Sequence, residues 1–406
     1  MDPTQNPFSP GAGTPPPALV GRSDIMTAAT IALGRVKAGR HGRSQMLLGL
    51  RGVGKTVLLN GIAELAAIQD FHAISLEAPE NRSLAEMLVP KLRSLLLKLS
   101  RVEKTKDVAK RGLGVLRAFA SAFKVTVADI ELGVAAESGV ADSGNLENDL
   151  PELLLAVAEA AKVGESAVAL FVDEVQYLSE EDLGALIVSL HQLGQKGLPF
   201  IMFGAGLPQL AGLAGDAKSY AERLFDYPGV GPLPDQAARE AIKTPVVNEK
   251  ADISDEALAL IASKTQGYPY FIQEWGAHTW NEAQRSPIVA ADVERATVKA
   301  LQHLDNGFFR VRMDRLTPRE KDYVRAMAEL GPGPHRSGEI AVTLKSDVNT
   351  VAPLRDRLIK KGMIYSPQHG DNAFTVPMFD EFMRRSMPNW TPDSPVTPSR
   401  GRKKKK

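Results

Sequence analysis

The sequence predicts an α/β fold: a parallel sheet that carries a glycine-rich phosphate loop, then an all-helical segment and a small winged helix-turn-helix. Three observations predict it. The apolar run Met46-Leu47-Leu48 leads directly into Gly49-Leu50-Arg51-Gly52-Val53-Gly54-Lys55-Thr56, and a helical pattern begins at Lys55. Short apolar runs at Phe71–Leu76, Ala167–Val172 and Phe200–Phe203 alternate with helical patterns, the order of a parallel sheet wrapped by helices. Near the C-terminus three helical patterns precede two short strands around Gly370-Asp371-Asn372.

The elements divide the chain into five stretches. Residues 1–18 hold six prolines among Gly, Ser and Thr, which fix φ and remove donors, so a disordered leader is expected. Residues 19–232 form the sheet-bearing core. It opens on an amphipathic helix at Asp24–Val36, followed by the first strand, the glycine loop and a helix to about Gln69. A helical insertion is expected at about 81–148. It holds a long helix at Leu84–Leu99, a basic patch at Arg101–Arg111 and an alternating segment, Phe123-Lys124-Val125-Thr126-Val127, that predicts a small hairpin. Pro151 is placed in the first turn of a helix over Glu152–Ala161, and Leu183–Leu193 reads as another helix with Ser179 as its cap. Residues 233–310 read as a helical lid, with helices at Asp235–Lys243, Asp255–Ser263 and Phe271–Ala283. Trp275 and Trp280 belong to its core. Residues 311–388 form the winged helix, and 389–406 a disordered tail with Arg400, Arg402 and Lys403 to Lys406.

Composition bounds the rest. The chain has 406 residues, 44% hydrophobic and 24% charged, enough for two or three domains without covalent staples. It has no cysteine, which excludes disulfides and thiolate metal sites. His72, His191, His278 and His335 show no metal-ligand spacing. No apolar run approaches the roughly 20 residues of a spanning helix, and the N-terminus lacks the order of a signal peptide, so a cytoplasmic address and no membrane partner are expected. Net charge is +1, which favours no class of partner.

The glycine loop fits G-x-x-x-x-G-K-[ST]. Glycines let consecutive backbone amides turn toward phosphate oxygens, and the helix that follows adds the positive end of its dipole. Gly49, Arg51, Gly52, Val53, Gly54, Lys55, Thr56 and Val57 are therefore the cofactor-binding candidates for ATP, with the Lys55 ammonium reaching the β- and γ-phosphates. Leu170-Phe171-Val172-Asp173-Glu174 is an apolar strand ending in two acids. That is the Walker B arrangement: Thr56 and Asp173 serve Mg²⁺, and Glu174 serves the attacking water.

With these motifs the sequence resembles the AAA+ ATPases related to origin-recognition proteins and the STAND switches. Leu19-Val20-Gly21-Arg22 is similar to the box that opens them, Asp173-Glu174-Val175-Gln176-Tyr177-Leu178 to their Walker B extension, and Gly204-Ala205-Gly206-Leu207-Pro208 to the end of their sensor 1 strand. The resemblance spans about residues 19–388. It implies that Val20 and Gly21 flank adenine, that Pro269 of Gly267-Tyr268-Pro269 closes over the base from the lid, and that Arg223 is an arginine finger, catalytic and a point of self-association. Two departures stand out. Ile201-Met202-Phe203-Gly204-Ala205 lacks the usual polar sensor residue, and no arginine follows Gly267 as a second sensor would require. The implied activity is a slow Mg-ATP switch that hydrolyses ATP to ADP. The third helix of the winged element carries Arg355, Arg357, Lys360 and Lys361, with Asn349 and Thr350 near its start, and these suit double-stranded DNA. Asp347 and Asp356 dilute that charge and Pro353 interrupts the helix, so a signalling scaffold that binds only protein stays open, as does an oligomeric motor.

Overall fold

The computed structural model describes residues 1–11, 13–78, 82–125 and 135–392. The chain divides into two compact units, Met1–Val293 and Glu294–Lys406.

The first unit is built on a five-stranded sheet of β1 (Ser44–Leu48), β2 (Phe71–Glu77), β3 (Ala167–Asp173), β4 (Phe200–Gly206) and β5 (Phe225–Asp226). The strand order is β2-β3-β4-β1-β5 and every pairing is parallel. The predicted fold class holds. Period-two alternation along β3 and β4 explains why helices cover both faces: Ala169, Phe171, Ile201 and Phe203 enter one core, while Val168, Leu170, Val172 and Met202 enter the other. The rings of Phe171 and Phe203 stack 5.4 Å apart on the first face.

That first face is covered by α1 (Ser23–Lys37) and α2 (Lys55–Ile68). The opposite face is covered by α3 (Leu84–Ser100), α4 (Lys106–Ala122), α5 (Leu146–Val163) and α6 (Glu180–Gln195). The stretch expected as an insertion therefore supplies much of one helical layer: Leu84, Leu88, Leu92, Leu95, Leu96 and Leu99 recur at helical spacing and are all buried. Three cations of its basic patch are paired, Lys104 with Glu165, Lys106 with Glu103 and Arg111 with Glu137. Two local expectations are corrected. Phe123 does not start a strand; it caps α4 with its ring 4.6 Å from Phe119, and Lys124 turns the chain at φ 53°. Thr126 and Val127 of that predicted hairpin lie outside the described residues. Pro151 does not open its helix either. The Asn145 side chain caps α5 six residues earlier, and the Pro151 ring sits inside the second turn.

After β4 come α7 (Leu210–Ala217), α8 (Ala221–Leu224) and then the lid helices α9 (Asp235–Asn248), α10 (Asp255–Thr265) and α11 (Pro269–Glu282). The leader, expected to stay free of the fold, packs on α11. Phe8 is 6% exposed, and a Cβ at Gly276 would stand 2.5 Å from its ring, so the glycine makes the socket. Asn6 Nδ2 donates to the Ala277 carbonyl and Trp280 Nε1 to the Asp2 carbonyl. Proline content hid this because one aromatic anchor and a few backbone bonds suffice to hold an extended segment.

The chain continues through α12 (Ala290–Leu304) and α13 (Arg310–Asp314). The second unit then presents α14 (Pro318–Leu330), β6 (His335–Arg336), α15 (Ser337–Thr343), α16 (Val348–Lys360), β7 (Ile364–Tyr365), β8 (Asp371–Phe374) and α17 (Phe379–Ser386). The three strands form an antiparallel sheet in the order β6-β8-β7, which with the preceding helices is the element order of a winged helix. The short strand β6 had no sequence signal of its own. Pro353 sits inside α16 without ending it. Trp390, expected in the disordered tail, donates through Nε1 to Asp322 and lies against the Arg325 guanidinium; residues 393–406 lie outside the description. Among the described residues no helix is long and apolar enough to cross a membrane.

Candidate nucleotide-binding site

The parallel sheet delivers the two motifs to the same edge. β1 and β3 both run parallel to β4, so the loop after Leu48 and the acids at the end of β3 emerge together. Gly52 and Gly54 adopt φ 82° and 89°, a region closed to most side chains, and Gly54 caps α2. The amides at the head of α2 are thereby left facing the space beyond the strand ends.

Within this edge Thr56 Oγ1 donates to Asp173 Oδ2 at 2.6 Å, so the two predicted metal ligands touch. Lys55 Nζ donates back to the carbonyls of Gly49, at 3.0 Å, and Leu50, at 2.9 Å. The Glu174 N–H donates to Asp173 Oδ1 at 2.8 Å, and Glu174 itself is held at φ 52°. Arg51 Nη2 donates to the Tyr177 hydroxyl at 2.6 Å, which ties the glycine loop to the turn after β3.

Two buried charges test whether this set suits a magnesium triphosphate. Lys55 is 7% exposed; burial draws its ammonium below the ordinary lysine range, against the pull of Glu174 and Asp173. Asp173 is 8% exposed; burial pushes its carboxyl up, against the Thr56 hydroxyl and the Glu174 N–H. Each charge is costly alone. An anion beside Lys55 and a divalent cation beside Asp173 and Thr56 supply what both lack, so the residues fit the group.

The base-side candidates are placed as follows. Gly21 has φ 68°, and a Cβ there would stand 2.8 Å from Ala237 Cβ on α9; Val20 beside it is half-buried, as is Val57. Pro269 is the first residue of α11, and the next N–H, that of Tyr270, donates to the Gly52 carbonyl at 3.1 Å. The lid helix thus touches the phosphate loop directly. Gly267 lies so close to Leu233 that a Cβ would stand 2.4 Å from its carbonyl oxygen. Arg22 was not singled out, though it belongs to the quoted opening box. Its guanidinium donates to the carbonyls of Val53, at 3.3 Å, and Gly231, and so buttresses the loop from behind.

Arg223 is not brought to this loop. Phe225 registers with Ser44, the first residue of β1, whereas Lys55 follows its last. The five residues of β1, about 16 Å of strand, separate the two ends. Arg223 is exposed, and among the described residues its side chain makes no hydrogen bond or ion pair. In the second unit three of the four cations suggested for DNA have partners within the fold. Arg355 donates to Asn372 Oδ1 at 2.7 Å and to Ser366 Oγ at 3.0 Å, while Arg357 and Lys361 pair with buried Glu320 at 3.4 and 2.7 Å. Only Lys360 of the four has no such internal partner among the described residues. Sequence spacing showed the cations on one helix; it did not show a buried acid on the helix beside them.

Residues 18–203 match the family model described as AAA ATPase domain. Residues 306–383 match one described as Domain of unknown function (DUF8462). The Walker-type ATPase Paby2304 of Pyrococcus abyssi shares the fold, with a TM-score of 0.57 and 18% identity over 90% of this chain and 96% of that one. The Orc1 protein of Aeropyrum pernix, solved in complex with DNA, gives a TM-score of 0.46 and 12% identity over 91% and 93% of the two chains. An uncharacterised HTH-type transcriptional regulator of Methanocaldococcus jannaschii is 23% identical over 241 residues, and the match spans 56% of each protein.

Proposed function

We propose that this chain is a cytoplasmic Mg-ATP switch that binds ATP between the glycine loop and the lid, hydrolyses it slowly to ADP and phosphate, and couples its state to duplex DNA through the winged helix. The observation that carries the nucleotide part is the contact of Thr56 with Asp173 beside buried Lys55. Amides of residues 49–57 and the Lys55 ammonium hold the phosphates, Thr56 and Asp173 hold the metal, and Glu174 takes the proton of the attacking water. When bound, magnesium supplies charge for the β- and γ-phosphate oxygens. Val20, Gly21 and Pro269 border the base. The bond from Tyr270 to Gly52 gives a physical route from phosphate loop to lid.

The DNA part is tested by magnesium-dependent ATP turnover and duplex binding measured across a salt series. A phosphate-contacting surface loses affinity linearly in log–log form as salt rises. A flat response, or no retention on DNA at low salt, selects the second reading, a nucleotide-gated scaffold for protein. That reading is favoured by the internal pairing of Arg355, Arg357 and Lys361.

Arg223 reaches a nucleotide only on a neighbouring copy, given its place at the far end of β1. Mixing Lys55→Ala subunits with Arg223→Ala subunits is expected to restore part of the turnover that neither shows alone, because an interface that takes its loop from the Arg223→Ala copy and its arginine from the Lys55→Ala copy has both groups intact. Arg223→Ala subunits that turn over ATP at the parent rate would refute the shared site.

A further inference from the structure

The apolar strand β4 leaves one question at the catalytic carboxylate. Ile201-Met202-Phe203-Gly204-Ala205 carries no side chain able to bond a phosphate or position a water, and all seven residues of β4 are buried. The polar group at the end of β4 comes from elsewhere. Gln176, in the single turn Val175–Tyr177 after β3, accepts the Leu207 N–H on Oε1 at 3.1 Å and donates from Nε2 to Glu174 Oε2. An amide has one acceptor end and one donor end, so the bond from Leu207 obliges the NH₂ to face the carboxylate.

Three further contacts show that this arrangement is built. Gly206 is the residue beneath the amide: a Cβ there would stand 2.7 Å from Gln176 Oε1 and 2.9 Å from Leu210 Cδ2, so any side chain would displace the glutamine. The Gly206 carbonyl accepts the Gly49 N–H at 3.1 Å, which joins the end of β4 to the first residue of the phosphate loop. Tyr177, next to Gln176, accepts from Arg51 of the same loop at 2.6 Å. A continuous run of bonds therefore leads from Gly49 through Gly206 and Leu207 to Gln176 and ends on Glu174.

We propose that Gln176 is the positioning residue of Glu174, fixing the carboxylate from the β3 turn and taking the place of the polar side chain that β4 lacks. The proposal rests on the ATPase reading above. Gln176 does not touch the reacting atoms in it; it sets where Glu174 stands and ties that position to the phosphate loop. Misplacing a catalytic group by about 1 Å costs up to roughly 100-fold in rate, whereas nucleotide affinity, set by the loop amides and Lys55, does not depend on it.

The test is steady-state turnover and Mg-ATP affinity of the full chain carrying Gln176→Leu, with Gly206→Ala as a second variant that displaces the amide while leaving Gln176 and Glu174 in place. Both are expected to lower kcat roughly 10- to 100-fold with the dissociation constant for Mg-ATP changed less than about twofold. In a Glu174→Gln background, Gln176→Leu is expected to lower the residual turnover no further, since residues acting as one unit are not additive. A kcat within about twofold of the parent in both variants, affinity lost in step with turnover, or a multiplicative loss in the double variant would each overturn the proposal. A parent chain that binds Mg-ATP with no turnover would instead refute the ATPase reading beneath it.

Discussion

Lys55→Ala leaves the chain folded and removes measurable Mg-ATP binding, a loss of about 100-fold or more in affinity. The expectation follows from what Lys55 does without ligand. Its ammonium is nearly fully buried and, among the described residues, is hydrogen-bonded to the Gly49 and Leu50 carbonyls alone, which are neutral acceptors. Holding a charge in that position is unfavourable, as its depressed pKa indicates. A triphosphate converts the arrangement into charge-assisted contacts in a water-poor site, each worth about twice a neutral one. Truncation removes the ammonium that the loop carbonyls hold, and a loss of about 3 kcal/mol corresponds to roughly 100-fold. Equilibrium titration with a fluorescent ATP analogue, with and without magnesium, reads the outcome, and the thermal midpoint of the variant confirms folding. Parent-like affinity would mean that the loop is a structural turn.

The site was legible in the sequence where function imposes a residue type at a fixed spacing. Gly49 to Thr56 and Asp173-Glu174 could be placed because the loop needs glycines and the metal needs an acid at a strand end, and the structure brings Thr56 and Asp173 into contact. The sheet was legible too, since β3 and β4 are unbroken apolar runs, although β5, two residues long, was not. What stayed hidden depends on partners far apart in sequence. Nothing near Gln176 announces that the Leu207 N–H, 31 positions away, will orient its amide. Arg357 and Lys361 remain partly exposed, but nothing near them in sequence announces buried Glu320, in the first turn of α14 after its Thr317 cap, as their shared partner. Phe8 likewise read as part of a free leader because its socket at Gly276 is a missing side chain, which no pattern of apolar residues reveals.

Glu174→Gln separates binding from chemistry most sharply. The substitution keeps shape and volume, so Mg-ATP affinity is expected within about twofold of the parent. Turnover falls about 100-fold or more, because an amide cannot accept the proton of the attacking water and a general base contributes roughly 100- to 10,000-fold. The geometry supports this division of labour between the adjacent acids. Asp173 is bonded to Thr56 and shielded by the Glu174 N–H, the surroundings of a metal ligand, while Glu174 is swung away from the strand by its left-handed backbone and lies between Asp173 and Gln176. Asp173→Asn is therefore the informative partner: it should weaken magnesium-dependent binding, and Glu174→Gln should not. If both substitutions depress affinity equally, the two carboxylates share the metal and Glu174 is not the base. If neither depresses turnover, the proton leaves by a route that does not pass through the end of β3.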